Sequence, residues 1–203
     1  INNDDYDGLK EYINTFGRSD IEHILIEMND ESESDEFGDV DVWKCIRSIM
    51  YPYEDMEVLN TRWEQILAEM TETFHDNMDN EQYQETKEEF MTVMLEREYE
   101  YRNFITYLVF RYFAKAVYDY DVVGKAKMFV TNYLILRQMD MLVWYKKHKK
   151  FCFEDRIDTV HIFSRQVEYS EDNMEALYES FIFDDVFETD NLCKLLWIDS
   201  TAL

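Results

Sequence analysis

The chain of 203 residues carries 45 acids against 20 bases, a formal charge of −25, and only four glycines and one proline. With so little turn chemistry beside abundant Glu, Met, Leu and Tyr, a sheet protein is excluded, and the expected fold is all-α: an irregular helical bundle of about seven to nine helices, in one domain over residues 1–203. A surface this negative repels phosphate backbones and anionic headgroups, so neither nucleic acid nor membrane is expected as a partner.

In chain order, the pattern predicts a helix from Asp4 to Phe16 stopped by Gly17, then one capped by Ser19 and Glu22 that runs to Met28. The segment 29–41, "NDESESDEFGDVD", is rich in acids and has no base, which makes it a solvated loop. It belongs to an acidic front portion: residues 1–100 hold 29 acids and 7 bases, residues 101–203 hold 16 and 13. A helix from Val42 is expected to break near Pro52, and a longer one to run from Asp55 to His75 with Met56, Leu59, Trp63, Ile66, Leu67 and Met70 on one face. From Gln82 to Tyr118 a wide apolar stripe includes Phe90, Met94, Leu108, Tyr112 and Phe113, and its length predicts an interruption at Tyr101 to Asn103.

The next helix, opened by Asp119 to Asp121 and reaching Tyr145, is apolar over most of its circumference, as a helix in the middle of a bundle must be. "KKHKK", Lys146 to Lys150, sits at its C-terminal end, where cations favour the helix dipole. Helices over 154–168, 171–181 and 190–197 close the chain.

Catalytic signatures are missing: the sequence has no GxGxxG, P-loop, GxSxG, HExxH or zinc-type Cys/His cluster, and we assign no catalytic residue and no metal ligand. Glu72 with His75, Asp20 with His23 and Asp158 with His161 have carboxylate–histidine spacing, but a chain with 45 acids produces such spacings by chance. His148 and Cys152 stand four apart and could in principle activate a thiol among the lysines; the plainer reading is a cysteine packed at a helix junction. Cys45, Cys152 and Cys193, odd in number and widely separated, suit a reducing cytoplasmic setting. The first residue is Ile1 rather than Met, which fits a fragment or a processed chain.

On the helix from Glu154, Ile157, Val160, Ser164 and Val167 are expected to share a packed face, with Asp158, His161, Arg165 and Glu168 in an adjacent polar row. Arg165, between His161 and Glu168, is expected either to anchor structure through local pairing or to contact a ligand.

Three stretches, "NFITYLVFRYF" (103–113), "KAKMFVTNYLILRQM" (125–139) and "FEDRIDTVHIFSRQVEYSEDNMEAL" (153–177), resemble in order and spacing the C-terminal helical region of flagellin lysine N-methylases. The resemblance lies within residues 82–203 and implies Asn103, Tyr107, Arg137, Ser164, Arg165 and Glu168 as binding candidates; Arg111, on the first of these stretches, and His161, in the polar row of the helix from Glu154, join them. Tyr169 stands where the family commonly has histidine. The resemblance also implies a cysteine-rich N-terminal segment with a metal cluster, of which this chain has no counterpart, and S-adenosylmethionine as the cofactor of the full-length protein. The implied function is to bind or orient a basic, lysine-bearing protein such as flagellin, without catalysis by this chain alone. The alternative is a non-enzymatic acidic interaction module, inhibitor- or immunity-like, seated in a basic groove.

Overall fold

The structure, a computed structural model, describes residues 42–200; the helices expected at 4–16 and 19–28, the acidic loop 29–41 and that part of the single-domain expectation lie outside the described residues. Among the described residues every regular element is helical, so the all-α expectation holds.

Helix α1 (Val42–Glu54) carries Pro52 inside its last turn and runs two residues past the expected break. Tyr53 explains why: it is fully buried and its hydroxyl donates to Asn132 Oδ1 at 2.7 Å, which holds the chain helical beyond the proline. Residues 55–60 are irregular, not the first turn and a half of a helix as the apolar spacing predicts. Two buried amides have taken over this backbone. The Asn173 side chain accepts from the Glu57 N–H at 2.9 Å and donates to its carbonyl at 3.0 Å. Gln166 accepts from the Leu59 N–H at 3.0 Å and donates to the Glu57 carbonyl at 2.6 Å.

Helix α2 (Thr61–Met70) therefore begins at Asn60, whose side chain accepts from the Arg62 N–H, and it passes into a π-helical turn over Thr71–Asp76. Helix α3 (Asn80–Met94) opens on a capping box formed by Asp79 and Gln82. A 3-10 turn, Leu95–Arg97, separates it from α4 (Glu98–Tyr112), so the interruption falls before Tyr101–Asn103, where it was expected. Arg97 fixes the turn there by donating to the Phe151 carbonyl at 2.8 Å and pairing with Glu100. A second 3-10 turn, Phe113–Lys115, leads into α5 (Ala116–Asp119), which stops at Tyr120 in the left-handed region, φ 58°.

Helix α6 (Val122–Lys146) is capped by the Asp121 carboxylate on the Gly124 N–H, and only glycine leaves room for it: a Cβ on Gly124 would lie 2.2 Å from that carboxylate. Its C-terminal end turns through His148 and Lys149, both left-handed, with φ of 54° and 65°. Helices α7 (Phe153–Val167) and α8 (Glu171–Phe183), a 3-10 turn over Asp185–Phe187 and α9 (Thr189–Ser200) complete the chain.

As its composition predicts, α6 occupies the centre, packed against α1, α2, α3, α4, α7, α8 and α9. Its buried surface is not purely apolar. Tyrosines from three surrounding helices each donate to one polar side chain of α6: Tyr53 of α1 to Asn132, Tyr83 of α3 to Gln138 at 3.0 Å, and Tyr101 of α4 to Asp140 at 2.9 Å. Burial pushes the Tyr53 and Tyr101 hydroxyls well above their ordinary pKa, so both remain donors. Around these bonds pack Trp63, Phe74, Phe90, Trp144 and Phe163, all buried, with Trp63 Nε1 donating to the Tyr53 carbonyl.

The lysine cluster fastens the end of α6 to its neighbours. Lys146 pairs with Glu69 of α2 at 3.0 Å, Lys149 with Glu89 of α3 at 2.6 Å, and Lys147 with Asp155 of α7. No helix of the described residues is long and apolar enough to cross a membrane.

The tyrosine bonds predict an asymmetry. Tyr83→Phe leaves the buried Gln138 carbonyl without its donor and is expected to cost about 1–3 kcal/mol in denaturant unfolding. Pairing it with Gln138→Leu, which removes the acceptor too, is expected to recover at least half of that loss.

Candidate functional site

Helices α4 and α7 face each other across a cleft of about 370 Å³. From α4 it takes Tyr99, Glu100, Asn103, Phe104 and Tyr107, and from α7 Phe153, Arg156, Val160 and Ser164. Each set recurs at three- and four-residue steps, so each wall is a single helical face. The walls are aromatic and aliphatic, and the polar groups gather at two places.

The first is beneath the cleft. Asp140, from the middle of α6, is wholly buried and accepts from Tyr101, from Thr159 Oγ1 at 2.6 Å and from the Arg156 guanidinium. Arg156 also pairs with Glu100 at 3.2 Å and stacks over the Tyr101 ring at 4.0 Å. Burial pushes the Asp140 carboxyl up to about 6 against the pull of Arg156, Thr159 and Tyr101. It is therefore ionised at neutral pH and gains a proton in mild acid. Burial opposes the charge on Arg156 as well, but Asp140, Tyr101 and Glu100 outweigh it, and the guanidinium stays protonated.

The second is at the C-terminal end of α7. Glu168 is buried there and accepts from Ser164 Oγ at 2.8 Å, Tyr107 at 2.9 Å and Tyr112 at 3.0 Å, with Arg111 Nε 3.7 Å away. Arg111 in turn donates to the Tyr112 hydroxyl at 2.9 Å. Burial, then the adjoining Glu168, raises Tyr107 to about 12 and Tyr112 beyond it, which keeps both hydroxyls protonated as donors.

Of the residues singled out in the sequence, Asn103, Tyr107 and Ser164 line the cleft, and Glu168 and Arg111 close its end. Arg137 lies outside it, buried in α6 with Nη1 donating to Tyr133 at 2.8 Å. His161 and Arg165 are exposed on α7. The expected local pairing of Arg165 with Glu168 does not form, because that carboxylate turns inward to the tyrosines and Ser164.

The packed face of α7 also differs from the expected one. Arg156, Thr159, Phe163, Gln166 and Val167 are buried, while Ile157 is exposed. Asp140 decides this: a buried carboxylate needs donors, so Arg156 and Thr159 face α6 and Ile157 is rotated outward. Asp140, Arg156, Glu100 and Tyr112 were not among the sequence candidates. One signal for them existed, since Asp140 is the lone acid in the apolar run of α6 and required a partner from another helix.

His148 and Cys152 are not a helical pair, because α6 ends at Lys146. The Cys152 thiol is exposed and donates to Asp155 Oδ2 at 3.1 Å, and that carboxylate raises its pKa, the opposite of activation.

The sequence matches the family of FliB lysine N-methylase C-terminal domains over residues 1–195. The chain belongs to that family. The match reaches well beyond the motif-bearing stretch of this FliB C-terminal domain, residues 103–177. Comparisons with curated proteins and with solved structures found no match.

The described residues do not fit the groups that the family resemblance implies. No three His, Cys, Asp or Glu side chains among them converge as a metal would require, and the free cysteines lie on α1, α9 and at the start of α7. The cleft walls are helix side chains with no glycine, so they form no Gly-rich turn of the kind that brings backbone close to an adenosyl group.

The titration of Asp140 gives a signed expectation. Its folded pKa of about 6 lies above the ordinary 3.8, so the native state holds more protons between those values. Unfolding free energy, measured for the wild-type chain relative to Asp140→Asn, should fall as pH rises from about 4 to about 6 and level off above.

Proposed function

We propose that this domain binds a lysine-bearing protein, flagellin by the family resemblance, and orients it for methyl transfer carried out elsewhere in the methylase. The observation that carries the reading is family membership across residues 1–195. Two physical features support it. The −25 formal charge attracts lysine-rich surfaces and speeds their encounter. The α4–α7 cleft is built to hold a side-chain stem rather than to react with it: its charges are already paired and its hydroxyls donate to a carboxylate.

Nothing in the cleft has the layout of a catalytic pair. Ser164 Oγ is bound to Glu168, and no histidine lines the walls. The inhibitor-like alternative rests on the charge and on the absence of catalytic motifs, both of which the binding domain of a lysine methylase accounts for equally well.

Titration calorimetry of this chain with purified flagellin tests the proposal. Binding is expected, with Kd rising about tenfold between low and moderate salt as the attraction is screened. Phe153→Ala, at an exposed position on the cleft rim, is expected to weaken binding by about tenfold. Absence of binding, together with undiminished transfer by an intact methylase lacking this domain, would refute the reading.

A further inference from the structure

A second opening, a groove of about 600 Å³, lies where the last turns of α1 and α8 meet. Three carboxylates line it: Asp55, the residue after α1, and Asp184 and Asp185, the two after α8. The rest of its lining is largely apolar, with Tyr51 and Pro52 from α1 and Ala176 and Phe183 from α8. Phe183 is 77 % exposed, so its ring is open to a ligand.

The groove is negative for two reasons. Both helices bring their C-terminal ends to it, and each end adds about half a negative charge to the three carboxylates. The end of α6 has its lysine cluster, whereas the last turns of α1 and α8 contain no base. Among the described residues none of the three acids is paired with a lysine, arginine or histidine. Arg47 stacks on Tyr51 at 4.5 Å but is held by Glu54 at 2.8 Å. Lys127 donates to the Phe181 carbonyl at 2.8 Å and forms no ion pair with the three acids. The groove thus draws a cation from outside the chain.

The kind of cation follows from the walls. The carboxylates do not converge as a metal ion requires. Apolar walls between separated carboxylates suit a cation carried on an aliphatic stem, and an aromatic ring beside them adds attraction for its charge. We infer that the groove holds a lysine side chain of the partner protein, with its stem against Pro52 and Ala176 and its ammonium among Asp55, Asp184 and Asp185, beside the Phe183 ring. This rests on the lysine-bearing partner proposed above and assigns the place of its charge. The α4–α7 cleft does not compete for it, because Glu100 there is already paired with Arg97 and Arg156.

NMR titration of the ¹⁵N-labelled 203-residue chain with Nα-acetyl-lysine N-methylamide tests this, with the norleucine analogue as the uncharged control. Saturable shifts at the Ser48, Ala176 and Ser180 amides, all lining the groove, are expected with a Kd of about 1 mM, and none with norleucine. Asp184→Asn with Asp185→Asn should raise Kd about fivefold and Phe183→Ala about threefold. Glu85→Gln with Glu88→Gln, the same loss of charge at exposed positions of α3, should change it by less than about twofold. No saturable shift at these amides, or equal weakening by the α3 variant, overturns the proposal. Flagellin separates it from the reading on which it rests. Flagellin bound equally by wild type and by the Asp184, Asp185 variant overturns the groove and leaves that reading intact; flagellin unbound while the lysine amide saturates the groove removes flagellin as the partner and upholds the groove.

Discussion

The architecture depends on how α6 disposes of its polar side chains. A helix at the centre of a bundle has no solvent-facing side, and this one places Asn132, Gln138 and Asp140 where water does not reach. Each is answered by a tyrosine from a different helix, at 2.7 to 3.0 Å. A satisfied bond of this kind adds only about 1 kcal/mol, but an unanswered one costs about 1–3 kcal/mol. The bonds therefore act mainly against misplacement. If α1, α3 or α4 slid by a turn along α6, a hydroxyl and an amide or carboxylate would each be buried alone, so apolar contacts that tolerate many registers are restricted to one.

The same logic builds the cleft. Asp140 cannot be stabilised by one tyrosine, because a buried charge needs an opposite charge and several donors. Arg156 and Thr159 supply them from α7, and the rotation of α7 that brings them inward also turns Phe153, Val160 and Ser164 toward α4. At the far end Glu168 is satisfied by α4 through Tyr107 and Tyr112. The two helices are thus fastened at both ends of the cleft by carboxylates, and the space between is left to apolar side chains. Its shape follows from charge satisfaction more than from a gap in packing.

This division explains what could be read in the sequence. Helical class, the central position of α6, and the boundaries set by caps such as Asp79 with Gln82 follow from composition, period and local hydrogen bonding, all properties of a short window. The start of α2 and the packed face of α7 do not. Residues 55–60 have the apolar spacing of a helix, and only Gln166 and Asn173, more than 100 positions away, divert their backbone. Ile157 scored as core because a periodicity argument ranks side chains by hydropathy, whereas the requirement of Asp140 ranked Arg156 above it. Asn103 and Tyr107 follow from the family resemblance, and Ser164 and Glu168 also from the periodicity of the helix from Glu154. Asp140 lies one residue past the matched stretch 125–139, and Arg156, inside the stretch 153–177, has neither the hydropathy nor a matched motif position that would mark it.

Charge in this molecule is segregated as well as abundant, and the segregation has mechanical consequences. A uniformly acidic surface would draw basic partners everywhere and orient none. Here the acid-free stretch 101–118 supplies part of the α4 wall of the cleft, through Asn103, Phe104 and Tyr107, and also carries the exposed Phe110 and Val117. For the lysine-bearing partner proposed above, attraction by acidic surface would meet repulsion from Arg102, Arg111 and Lys115 near α4. That proposed partner would then be favoured with its cations resting on the acids and its apolar groups turned toward α4. Under that proposal, orientation would come from the pattern of charge, which the net value of −25 does not reveal.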